Sequence, residues 1–157
     1  MAVVFSGQAT TELRRLAATA YPEEGCGVLI GSPHGSDVAV VEVTSGRNLV
    51  ADRRRDRYEL DPGDIVAAER SARVCGLEVV GFWHTHPDHP ARPSGFDTER
   101  AWPDYVYVIC RVTSAGVEET RAYRLLDDEG GFVEVEMGEA AASDAMPRVS
   151  DHAQGDG

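Results

Sequence analysis

The sequence predicts an α+β domain, an α-β-α sandwich built on a mostly antiparallel sheet. Three observations carry that expectation. A chain of 157 residues and 17.0 kDa can bury one real core and is short for two. Two stretches repeat apolar residues at helical spacing behind a capping residue. Short apolar runs bounded by turn residues alternate with them and read as strands.

Taken in order, residues 8–20, "QATTELRRLAATA", set Ala9, Leu13, Leu16, Ala17 and Ala20 on one helical face, with Ser6 as cap and Pro22 as terminator. "CGVLIG" follows as a buried strand closed by the turn "GSPHGS", and "DVAVVEV" as a second strand. "TSGRNLVADRRRDR" is a polar connection, and "YEL" is a candidate short strand. A second helix begins at "DPGDIVAAERSARVCG", with Asp61 as cap, Pro62 at the first helical position and Ile65, Ala68 and Ala72 on one side. "LEVVGFWHTH" is a strand that runs into a histidine-rich, proline-rich loop, and "SGFDTERAW" reads as a short helix. "YVYVICRV", "TRAYRLL" and "GFVEVEM" complete the strands. The domain is therefore placed at residues 1–137. Residues 138–157 offer few large apolar groups and read as a disordered acidic tail.

Charge and composition exclude several classes. A net charge of -12 with a pI near 4.7 repels nucleic acid and anionic lipid, which need a basic surface to release counterions. No apolar run approaches the roughly 18 to 20 residues of a membrane span. The N-terminus lacks the basic start and long apolar middle of a secretory signal. Three cysteines with no CxxC pair suit a reducing compartment, so a cytoplasmic location is expected.

Chemistry concentrates in residues 81–97, "GFWHTHPDHPARPSGFD". His84 and His86 are two apart at a strand end, and alternate strand residues point to one side, so their rings can converge on an ion. Imidazole pairs suit Zn²⁺, whose catalytic sites hold three protein ligands and an open fourth position. Asp97 is the candidate third ligand, because the first turn of a short helix presents Ser94 and Asp97 towards the same point. Plainer readings stand beside this one. An HxH pair can make ordinary hydrogen bonds, "SGFD" can be a simple capping box, His89 suits an exposed or supporting role, and Cys26 suits a small buried residue. "HTHPDH" also satisfies HxHxDH, which resembles the first metal-binding segment of the metallo-β-lactamase superfamily. That fold needs further histidines downstream, and only His152 follows.

The spacing of "HTHP", seven residues from Pro87 to Pro93, then "SGFD" gives HxH-x7-SxxD, with "PEEGCGVLIG" upstream. Together these resemble the JAMM metalloproteases, the catalytic branch of the MPN domain family, from about Glu12 to about Met137. The resemblance implies an MPN-type, cytidine-deaminase-like sandwich holding one Zn²⁺ through His84, His86 and Asp97. It implies that Ser94 polarises the substrate carbonyl and that a glutamate after the first helix is the general base. The family pattern PxExCG selects Glu24, while Glu23, its neighbour in a strand, points the other way.

For a small domain similar to the stand-alone prokaryotic members, the resemblance implies hydrolysis of the amide bond after the C-terminal di-glycine of a ubiquitin-like sulfur-carrier protein. The alternative is a metal-free MPN scaffold that binds protein partners and catalyses nothing. "DRRRDR", residues 52–57, interrupts the acidic surface, and Arg53, Arg54 and Arg55 are candidate docking residues for an acidic carrier, against the plain reading of a solvated loop.

Overall fold

A computed structural model of the chain describes residues 1–50, 58–95, 97, 101–126 and 131–140. Its elements are β1 (Ala2–Phe5), α1 (Gly7–Ala20), β2 (Cys26–His34), β3 (Asp37–Ser45), α2 (Pro62–Val74), β4 (Glu78–Pro87), β5 (Val106–Thr113), β6 (Gly116–Leu125) and β7 (Phe132–Glu139). Both helices begin where their caps predict. Ser6 Oγ accepts from the Ala9 N–H at 3.1 Å, and Asp61 Oδ1 accepts from the Gly63 N–H at 2.9 Å ahead of Pro62.

The expected cytidine-deaminase-like α-β-α sandwich is not what forms. The strands close into a barrel in the order β1-β3-β2-β4-β5-β6-β7, with β1 pairing to both β3 and β7. β1 is the cause. Its four residues, "AVVF", carry Val3 and Phe5 into the core and join the two ends of what would otherwise be an open sheet. Both of its seams are parallel, as is the seam between β4 and β5. A second, smaller correction concerns "GSPH", which continues β2 to His34, so that the turn into β3 falls at Gly35 with φ 64°. "YEL" contributes one isolated bridge, Asn48 to Leu60.

Two apolar clusters show which way the sheet faces. One draws side chains from all seven strands and from Ala9, Leu13 and Ala17 of α1, so it is the inner side of the barrel. The other joins Ala68 and Ala72 of α2 to Val28, Ile30, Val79, Phe82 and Tyr107, and lies outside.

β4 crosses between these environments through a bulge. Leu29 pairs with Gly81 and Ile30 with Val79, which leaves Val80 as an extra residue. Before the bulge, odd-numbered Val79 faces out and Val80 in; after it, Phe82 faces out and Trp83 in. The shift sends the even-numbered residues that follow, His84 and His86, to the outer side. Opposite them, Trp83 Nε1 donates to Thr44 O at 2.8 Å across β2. A Cβ on Gly27 would lie 2.4 Å from that indole nitrogen and 1.9 Å from Thr44 O, so only glycine fits there.

Candidate active site

Glu24 reaches the site through its neighbour. Thr85 N–H donates to Gly25 O at 3.0 Å and Gly25 N–H donates to Thr85 Oγ1 at 2.8 Å, which locks the chain before β2 against β4. Cys26 pairs with His84 in the same seam, so Glu24, two residues earlier, comes to lie beside His86 on the outer side. Glu24 is buried and Glu23 is exposed. Ligand atoms of Glu24, His84 and His86 lie within 4.8 Å of one another.

Asp97 approaches the histidines more closely. Its Oδ2 lies 3.3 Å from His84 Nε2 and 3.2 Å from His86 Nε2, and the two nitrogens are 3.2 Å apart. A tetrahedral ion with bonds of about 2.0 to 2.1 Å requires donor-to-donor edges of about 3.3 Å, so this triangle fits a single Zn²⁺-sized ion. The capping box forms as well. Ser94 N–H donates to the same Oδ2 at 2.8 Å, and Asp97 N–H donates to Ser94 Oγ at 3.1 Å. The two readings of "SGFD" are therefore compatible: the cap aims the carboxylate.

The charges suit a cation. Burial would raise the Asp97 carboxyl, but His84, His86 and the Ser94 N–H outweigh it and hold Asp97 far below the usual carboxylate range. Burial pulls His84 down despite Asp97, keeping it neutral. His86 is lifted, because hydrogen bonds to Asp97 and Pro90 O overcome its burial. A charged Asp97 and a neutral His84 are the protonation states metal binding needs, whereas a protonated His86 gives up its proton on binding. His86 Nδ1 lies 2.9 Å from Pro90 O, and donation to that carbonyl leaves the Nε2 lone pair facing Asp97 and His84.

A cleft of about 280 Å³ opens beside the cluster, lined by Glu24, His86, Pro87, His89, Pro90, Arg92 and Ser94. His89 sits in its wall, outside the cluster. Its loop is held from β6: Glu119 Oε1 accepts from Ala91 N–H at 3.0 Å, and Tyr123 Oη donates to Ala91 O at 2.6 Å. Arg53, Arg54 and Arg55 fall in residues 51–57, outside the described residues. Two contributors have no sequence pattern to reveal them. Thr85 sets the register of Glu24, and Tyr58, far away in sequence, stacks on His84.

A barrel carrying a buried His-His-Asp triangle beside a second carboxylate, at the edge of a cleft, defines a domain of the JAMM/MPN class. Residues 7–126 match the family described as prokaryotic homologs of the JAB domain, and the chain belongs to that family. It is 43% identical over 98 residues to a desampylase of Haloferax volcanii, an alignment covering 62% of this chain and 68% of that protein. A desampylase of Pyrococcus furiosus is 35% identical over 82 residues, covering 51% of this chain and 54% of that one. Among solved structures, a protein of Desulfitobacterium hafniense superposes with a TM-score of 0.75 at 28% identity, covering 89% of this chain and 93% of that one. One from Salinibacter ruber gives 0.70 at 35% identity, with 92% and 96% covered. Among the described residues no helix is long and apolar enough to cross a membrane.

Proposed function

We propose that the protein is a zinc-dependent isopeptidase that hydrolyses the amide bond after the C-terminal di-glycine of a ubiquitin-like protein, a sulfur carrier or its conjugate. The observation that carries this reading is the triangle of His84 Nε2, His86 Nε2 and Asp97 Oδ2, with edges of 3.2 to 3.3 Å, beside the buried carboxylate of Glu24. The relatives called desampylases support the substrate class.

His84, His86 and Asp97 would hold the ion, since their donors form the tighter group, and Glu24 is left for proton transfer. A zinc held there would supply Lewis acidity and lower the pKa of water at the site to about 7. Glu24, lining the cleft, takes a proton on its carboxylate and passes it to the leaving nitrogen. Ser94 Oγ accepts from Asp97 N–H, and its hydroxyl proton polarises the scissile carbonyl oxygen. Glycine suits the residues next to the cut, because side chains there would meet the walls formed by Pro87 and Pro90. Arg53, Arg54 and Arg55 dock the acidic face of the carrier, a role that rests on sequence charge alone.

The test is metal content together with turnover. Purified protein should carry one zinc per chain and release a carrier from a di-glycine-linked conjugate, read by intact mass. His86→Ala and Asp97→Ala should lose both. A zinc-free wild type with no turnover would return the chain to the metal-free scaffold reading.

A further inference from the structure

The two histidines of the site are held in different ways. His86 is oriented by the contact of its Nδ1 with Pro90 O at 2.9 Å. The corresponding atom of His84, Nδ1, is buried with no hydrogen-bond partner among the described residues, in a side chain only 1% exposed. Histidines that bind metals ordinarily donate their second N–H to a carbonyl or carboxylate, and that bond sets the ring's orientation. His84 has a ring partner instead. The Tyr58 ring lies face to face with it, centroids 4.4 Å apart and planes 21° from parallel. The His86 ring stands 5.0 Å away, tilted by 57°.

We infer that Tyr58 is a positioning residue for the metal centre: its flat face fixes the plane of the His84 ring, doing for His84 what the Pro90 carbonyl does for His86. The inference rests on the reading of His84 as a zinc ligand. An imidazole that rocks about its Cβ–Cγ bond carries Nε2 out of the triangle, because that nitrogen is the ring atom nearest Asp97. A ring stacked at 4.4 Å leaves it little room to rock. The phenol oxygen takes no part in the argument.

The experiment compares Tyr58→Phe, which keeps the flat face, with Tyr58→Ala and Tyr58→Leu, which remove it; leucine keeps most of the bulk in case the alanine variant folds poorly. Zinc affinity is measured on metal-free protein by competition with a chelating dye, and the geometry by the visible spectrum of the Co²⁺-substituted protein. Tyr58→Ala and Tyr58→Leu should weaken zinc binding by about 10- to 100-fold and lose the intense tetrahedral Co²⁺ band, with the phenylalanine variant within about twofold of wild type. Thermal unfolding of the metal-free proteins separates this from general damage. The inference is overturned if leucine and alanine bind zinc as tightly as wild type, or if phenylalanine is as weak as alanine. A wild type that binds no zinc overturns the metal reading as well, which distinguishes the two failures.

Discussion

Trp83 and His84 are neighbours in β4 and equally buried at 1% exposed, yet they face opposite environments. Trp83 turns inward to an apolar cluster supplied by seven strands and α1. His84 turns outward to Asp97, His86 and Tyr58. The inner side is closed all round, so a polar group there has no water to fall back on, and the indole N–H must find Thr44 O. On the outer side α2 packs over β2 and β4 nearer Phe82, away from the far end of β4 that carries the polar chemistry. Stability and function are thus assigned to opposite faces of one strand, one residue apart.

Adding one residue between Phe82 and Trp83 attacks the contrast at its root. With the register before it kept, the insertion would turn His84 and His86 inward and Trp83 outward, so the variant should fail to give folded, zinc-binding protein, by circular dichroism and metal analysis. Glu24→Gln tests the outer side alone. It should lower kcat by about 100- to 10,000-fold, while zinc content and Tm stay at wild-type values. Trp83→Ala tests the inner side. We expect a loss of about 3 to 5 kcal/mol in denaturant unfolding, with unchanged zinc affinity in the protein that remains folded. Ser94→Ala should slow turnover more than it raises KM, and lose about 1 kcal/mol of stability because Asp97 N–H loses its cap. The smallest effect concerns thiols. Burial pushes both Cys26 and Cys110 up to about 12, so at pH 8 a thiol reagent should label partly exposed Cys75 alone, reaching the other two on unfolding.

What the sequence revealed followed the range over which its patterns act. His84, His86, Ser94 and Asp97 come together through strand alternation and one helical turn, local rules that spacing expresses directly. Glu24 was picked out by its resemblance to the PxExCG pattern, and alternation only sets it apart from Glu23. Barrel closure was not legible, because four apolar residues at the start carry no sign of the two distant strands they join. The Val80 bulge is visible only once β2 is laid beside β4, and Tyr58 meets His84 without any periodic signal.

The seam between β1 and β7 also sets an order of events. Ala2 pairs with Glu136 and Phe5 with Glu139, so almost the whole chain lies between the partners. Bringing such distant segments together carries a large loop-closure entropy, and contacts of this separation slow folding. As the chain emerges during synthesis, its first strand must wait for its last. Until then Val3 and Phe5 remain without their β7 neighbours, and the open ends of β1 and β7 are the places where a nascent copy is most exposed to pairing with another.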